Sequence, residues 1–344
     1  MSPRTAGSGH LPTRPTLEEV ARVAGVSRAT VSRVINDSPR VSADVLATVR
    51  AAIAELNYVP NRAARSLVAR ATMSIALVVP EDAHRFFGDP HFGEVVEGIS
   101  ERIDDSEYVL NLQLTHAIPS EKTRRYLLGG NVDGAIVVSH HSSDHFLASL
   151  GQSLPVVFGG RPVGEATRAS DHYIDVDNRY GGSLATQYLI DHGRTAIATI
   201  AGPPDMTAAV DREQGWRDAM RGAGLSDHRI AHGDFTEAGG IRAGLALVDT
   251  HPDIDAIFVA SDLMASGVML ALDERGLRVP QDVALVGFDN SRYATRGRVG
   301  LTTISQPARQ MGVVMADTLL RLLDGEAVEQ VTLLDTHLVE RDSV

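Results

Sequence analysis

The sequence predicts a small all-α module over residues 15–60, followed by an α/β body with parallel sheets over residues 71–344. Three observations lead there. Residues 16–36, TLEEVARVAGVSRATVSRVIN, repeat apolar residues at helical spacing on both sides of a glycine. From Ser74 onward, short apolar runs alternate with helical stretches, the pattern of strands covered on both faces. Charge divides at the same border: residues 1–70 carry 10 Arg against 5 Asp and Glu, and the remainder carries 22 basic against 39 acidic residues, within a net charge of −12.

Taken in order, residues 1–14 are expected to be a disordered polar arm without the apolar core of a signal peptide. Thr16 and Glu19 have capping-box spacing, so a helix starts at Leu17 and gathers Leu17, Val20, Ala21 and Ala24 on one face. Gly25 supplies the permissive backbone of a sharp turn, and Ser27 caps a second helix from Arg28. Val31, Val34 and Ile35 pack inward, which leaves Arg28, Ala29, Ser32 and Arg33 outside. This is the layout of a helix-turn-helix. Its first exposed turn suits base edges in the major groove, where Arg28 can bridge a guanine and Ala29 can touch a thymine methyl. Ser32 and the N-terminal amides suit phosphates. A bare glycine-turned hairpin also occurs in larger helical domains, so the residues that follow decide. Ser42 is placed to cap a third helix, Ala43 to Leu56, whose Val45, Leu46, Val49, Ile53 and Leu56 complete a core. Asn61 then caps a short helix, residues 62–69, with few core-forming residues and marginal stability alone.

From Thr16 to Arg70 the chain resembles the lactose and galactose repressor family. Ala21, Ala24 to Ser27, Thr30 to Asn36, Asn57, Tyr58, Pro60, Asn61 and Ala64 to Leu67 carry the likeness, in the family's order. The resemblance implies a homodimer on double-stranded operator DNA, a pseudo-palindrome with a central CG step. It makes residues 61–70 a hinge helix that orders on DNA and drives Leu67 into the minor groove, trading unstacking for a bent duplex. The other reading is a linker helix with Leu67 packed on the body. The DNA-facing set is Thr16, Ser27, Arg28, Ala29, Thr30, Ser32, Arg33, Asn36, Tyr58, Asn61, Arg62, Arg65 and Leu67.

In the body, strands are expected near Ile75 to Val79, Val109 to Leu114, Ala135 to Val138, Val156 to Phe158, Ile197 to Ala201, Ala256 to Val259 and Val283 to Gly287, with helices such as Tyr180 to His192 and Ser261 to Arg275 between them. That is long for one sheet. The resemblance implies a two-lobed periplasmic-binding-protein-like core of type I: lobe one about 74–174 with part of 303–344, lobe two about 175–302. Ligands in open parallel sheets bind beyond the carboxyl ends of strands. Arg212 in AAVDREQGW, Ser261 and Asp262 after IFVA, Asp289 after ALVGF and Gln306 after TTIS stand in such places, with Asp262 read as a helix cap. A carboxylate accepts a pair of sugar hydroxyls and a guanidinium donates in a fork.

By resemblance Arg212 and Asp289 lead the effector contacts, with His91, Phe92 and Phe235 at the cleft; Trp216 is read as packing. After PVVF, where many sugar-responsive members carry an acidic residue, this chain has Gly159-Gly160-Arg161-Pro162, which either leaves room for a larger ligand or moves the polar contact to Arg161. GGRP, AGPPDM and GDFT are similar to the cellobiose-responsive actinobacterial branch, which implies a small sugar effector of the β-glucoside type, cellobiose first. An inducer is expected; the alternative is an effector that acts as a corepressor or is not a sugar.

Other chemistry finds little support. Cysteine is absent, so there is neither a disulfide nor a thiolate metal site. His140, His141 and His145 include one pair at helical spacing, but no H-E-x-x-H motif completes a hydrolytic metal site. No glycine-rich phosphate cradle and no G-x-S-x-G elbow appear. Neither enzyme activity nor a cofactor or metal is expected. No apolar run approaches the roughly 20 residues of a membrane span. A transport-type sugar-binding protein would need an export signal where this chain has a basic helical module, so the cytoplasm is the expected location.

Overall fold

The computed structural model describes residues 15–35, 38, 41–58, 71–115, 121–142, 146, 150–162 and 171–344. The chain divides into two compact units, with the boundary in sequence between Thr72 and Met73.

The first unit holds α1 (Leu17–Ala24), α2 (Arg28–Ile35) and α3 (Ala43–Glu55). The Thr16–Glu19 capping box forms in both directions, and Gly25 ends α1 with φ 66°. Ser27 caps α2, its hydroxyl accepting from the Thr30 N–H at 3.1 Å. Ser42 differs from expectation: it stands at the N-cap of α3 with extended backbone but makes no side-chain cap bond. Val20, Val31, Val34, Val49 and Ala52 form the core.

The second unit has two six-stranded sheets. In the first, β11 (Val331–Leu334), β5 (His172–Val176), β4 (Val156–Gly159), β3 (Gly134–Val138), β1 (Ser74–Val79) and β2 (Val109–Leu114) lie side by side, all parallel. In the second the order is β12 (Leu338–Val339), β10 (Thr302–Ser305), β9 (Ala284–Asp289), β8 (Ala256–Val259), β6 (Ile197–Ala201) and β7 (Ile230–His232), parallel except for β12. The central strands are buried along their length, as an apolar run without alternation requires.

Helices cover both sheets. On lobe one these are α4 (Ala83–Gly88), α5 (Pro90–Asp104) and α6 (Glu121–Leu128); on lobe two, α7 (Asn178–Asp191), α8 (Thr207–Gly222), α9 (Glu237–Thr250), α10 (Asp262–Glu274) and the single turn α11 (Tyr293–Arg296). The chain passes to lobe two after β5 and returns in α12 (Ala308–Leu323), which packs on α5 and on β3, β4 and β5. It then adds β11 to the first sheet and β12 to the second, so each lobe is closed by residues distant in sequence. Among the described residues, no helix is long and apolar enough to cross a membrane.

Candidate functional site

Carboxyl ends of strands from both sheets converge on a cleft of about 700 Å³, mouth included. His91, Phe92, Arg212, Phe235, Ser261, Asp289 and Gln306 all line it. Arg212 is its electrostatic centre. Glycine at position 182 lets α7 run against α8 at that level, because a Cβ there would meet the Arg212 carbonyl. The buried guanidinium donates from Nε to Asn178 Oδ1 at 2.9 Å, from Nη1 to the Ala260 carbonyl at 2.6 Å and from Nη2 to Gln306 Oε1 at 2.8 Å. Asp289 Oδ1 stands 3.5 Å from Nη1, and the guanidinium carbon lies 3.6 Å from the centre of the Phe288 ring. One planar fork thereby fixes the ends of β8, β9 and β10 relative to one another.

Acid dominates around it. Burial holds the Asp289 carboxyl well above the ordinary carboxylate range; Arg212 pulls it down, while Asp262 and Asp89 push it further up. Burial also raises Asp175, against hydrogen bonds from the Arg161 and Val176 amides and the Asn178 side chain. Asp262, expected as a cap, is instead the first residue of α10. Ser261 is the cap, accepting from the Met264 N–H, and the buried Asp262 carboxylate accepts from Thr303 Oγ1 at 2.6 Å and the Ser291 N–H at 2.7 Å. Burial pushes its pKa up to about 7. Burial likewise lowers His91, which keeps that ring neutral.

The apolar wall comes from Phe92, Val95, Val138, Met311 and Met315 of lobe one, faced by Met206 and Phe235 of lobe two. Phe92 stacks on the buried Phe86 at 5.4 Å, whereas Phe87 is 73% exposed and takes no part in the lining. Trp216 is fully buried packing. Three lining residues at or beyond strand ends, Ser139, Phe235 and Asp289, have left-handed backbone at φ 62°, 59° and 111°. Strained non-glycine backbone of this kind costs about 1–3 kcal/mol each and collects at ligand sites.

Arg161 departs from expectation. It is absent from the cleft lining, and its guanidinium turns to Asp211 of α8 at 2.8 Å. What the GGRP turn contributes is main chain: the Arg161 amide holds Asp175, and its carbonyl accepts from Thr207 Oγ1 at 2.7 Å. Sequence reading missed Asp89, Asp175, Arg85, Ser139 and the two methionines of α12. The Met311–Met315 spacing on one helical face was the available signal for the methionines.

In the first unit Arg28, Ala29 and Arg33 are exposed on α2, and Arg28 pairs with Glu18 at 3.0 Å, both side chains more than half exposed. Such a pair is worth at most about 1 kcal/mol and yields readily to a better partner. Thr16 and Ser27 are exposed but already used as caps. Thr30 and Ser32 are half-buried on α2. Tyr58, expected at DNA, is only 7% exposed and belongs to the three-helix core. Asn36, Asn61, Arg62, Arg65 and Leu67 lie outside the described residues, as does His145.

Comparison with known proteins agrees with both units. Residues 16–61 match the model for bacterial regulatory proteins of the lacI family, and residues 186–344 match a periplasmic binding protein-like domain. The HTH-type transcriptional regulator CelR of Thermobifida fusca is 44% identical over 335 residues, covering 96% of this chain and 98% of that protein. The ribose operon repressor of Escherichia coli K12 is 36% identical over 337 residues, with 95% and 99% covered. Among solved structures, a transcriptional regulator CelR–cellobiose complex superposes with a TM-score of 0.76 at 41% identity, covering 96% of this chain and all of that one. The lac repressor dimer bound to operator and the anti-inducer ONPF superposes with a TM-score of 0.85 at 29% identity, with 96% and 99% covered. The exposed α2 face, the two-lobed cleft and these relatives lead to one conclusion: the chain belongs to the LacI family of bacterial regulatory proteins and is a DNA-binding transcriptional regulator.

Proposed function

We propose that this chain is a dimeric, cytoplasmic repressor of carbohydrate-utilisation genes that leaves its operator when cellobiose or a related β-glucoside enters the cleft. Residues 15–60 read the operator, residues 61–70 form the hinge helix with Leu67 as minor-groove wedge, and residues 71–344 bind sugar and a second copy. The observation that carries the reading is the lining of the cleft: donors and acceptors fixed around Arg212, set beside aromatic and thioether surface. Hydroxyls can both donate to Asp289 or Asp175 and accept from Arg212, while Phe92 and Phe235 suit the apolar faces of a sugar ring. The two lining guanidiniums, Arg85 and Arg212, already stand against Glu81 and Asp289, which argues against a phosphorylated ligand. The relative solved with cellobiose supports the choice of sugar.

The test is operator binding by fluorescence anisotropy at fixed salt, on a pseudo-palindrome with a central CG step. Release by cellobiose and not by unrelated sugars is the expected result. Tight binding that no sugar alters would discard the effector, and binding tightened by sugar would make it a corepressor.

A further inference from the structure

A cluster outside the cleft lining and the Arg212 network joins the two lobes. The His141 ring, just beyond β3, lies between two carboxylates: its Nε2 is 3.1 Å from Glu81 Oε1 of lobe one, and its Nδ1 is 2.9 Å from Asp205 Oδ2 of lobe two. The two acids sit on opposite ring nitrogens, so they share no point at which a metal could be held. Both are positioned. Glu81 also accepts from Ser139 Oγ at 2.6 Å, and the Asp205 carbonyl accepts from the Ser142 N–H at 2.9 Å.

We infer that Glu81, His141 and Asp205 form a clasp between the lobes that holds when the ring is protonated and slackens when it is neutral. A neutral imidazole has one N–H, so it can donate to only one of the two acids and must set its bare nitrogen against the other. An imidazolium donates to both and carries the charge they lack. Among the described residues, Glu81 from the β1–α4 connection and Asp205 from the β6–α8 connection meet the ring nitrogens, and Arg85 of α4 stands behind Glu81 at 3.4 Å. The adjacent His140 is buried, bonded through Nε2 to the Arg161 carbonyl and kept neutral by burial, so it adds no competing charge. In this setting His141 is raised above the ordinary 6.5, first by its hydrogen bond to Glu81, against burial, and then by Asp205.

The direction follows. Separating the lobes removes Asp205 and lowers the ring's proton affinity, so closure takes up a proton between the affinities of the parted and clasped states. The clasp is at full strength below the lower value and is lost as pH rises through the higher one. Ligand affinity, which rests on the sugar reading above, should therefore weaken toward alkaline pH, by up to about tenfold per pH unit inside that window.

Histidine C2 hydrogen exchange, followed by mass spectrometry on the full chain without sugar, reads the titration of His141 directly. It should titrate above 6.5 in the wild type and fall toward 6.5 in both Asp205→Asn and Glu81→Gln. A wild-type midpoint at or below 6.5, or one that Asp205→Asn leaves unmoved, overturns the clasp. Small-angle scattering gives a second arm: the radius of gyration should grow from pH 6 to 8 in the wild type more than in His141→Gln, and equal growth overturns it. Calorimetry with cellobiose should show a steeper loss of affinity with pH in the wild type than in His141→Gln. If cellobiose binds neither protein, the sugar reading fails, while the two ligand-free measurements still decide the clasp.

Discussion

The two walls of the cleft are built on different principles. Lobe two presents polar groups tied to one another: Arg212 is bonded to Asn178, the Ala260 carbonyl and Gln306 and paired with Asp289. Lobe one presents mainly area, from Phe92, Val95, Val138, Met311 and Met315, with Asp89, His91 and Asp175 at its edges. A locked polar network determines the orientation of a ligand because its donors cannot follow a wrong partner; an apolar wall gains from burial and tolerates a change of shape. Lobe two should therefore control which ligand binds, and lobe one how tightly.

The sharpest way to break this contrast is Arg212→Ala. Removing the guanidinium that faces Asp289 and Asp175 leaves buried carboxyls without their cation, so thermal and urea unfolding should show a loss of about 3–5 kcal/mol. Calorimetry should find sugar affinity down by about a hundredfold or more, from the lost charged hydrogen bonds. Arg212→Lys separates charge from geometry: stability should recover in part, while binding stays lost because an ammonium cannot bridge three fixed acceptors. On the opposite wall, Phe92→Ala should also cost about 3–5 kcal/mol of stability, as a buried ring that packs on Phe86. There the conservative change behaves differently, and Phe92→Leu should restore most of the affinity. If Arg212→Lys bound sugar as well as Phe92→Leu did, the two walls would not differ in kind.

The next effect is one of pH. The folded chain holds Asp262 with a pKa of about 7 against an ordinary 3.8, so the folded state binds more protons than the unfolded chain between those values. Stability must then fall as pH rises across that window, which is the opposite of a salt-bridged carboxylate. Melting temperatures from pH 5 to 8 should decline more steeply in the wild type than in Asp262→Asn. Parallel profiles would mean that Asp262 is ionised throughout and that the charge balance of lobe two differs from the one described.

Legibility in the sequence follows the same division. Ser261 and Asp289 could be placed because each stands at the end of a recognisable apolar strand, where topology opens a crevice; Arg212 lies inside α8 and was placed by resemblance to the family. Strands β1, β3, β6, β8 and β9 were legible as unbroken apolar runs. The strand β5, HYIDV, was not, since His172 and Asp175 break its apolar character, and Asp175 was lost with it. Met311 and Met315 reach lobe one on a helix that returns after the whole of lobe two; their spacing put them on one helical face but did not say that the face meets the cleft. The ring of His141 meets acids 60 and 64 residues away, a proximity no periodicity encodes. Asp262 shows the complementary error: residue type suggested a cap, and burial made the carboxyl an acceptor inside lobe two.

The smallest effect tests the turn that bridges the walls. The Arg161 side chain is 38% exposed where it meets Asp211, so the pair should contribute at most about 1 kcal/mol, and Arg161→Ala should change sugar affinity by less than about fivefold. The main-chain atoms of residue 161 carry the structural duty, since the amide holds Asp175 and the carbonyl receives Thr207 and His140, and alanine keeps all three bonds. Thr207→Val, which removes one of those bonds and leaves every side chain of the cleft lining in place, should weaken binding at least as much as Arg161→Ala does. A hundredfold loss in Arg161→Ala, with Thr207→Val unaffected, would instead put the guanidinium on the ligand and give lobe one an orienting group of its own.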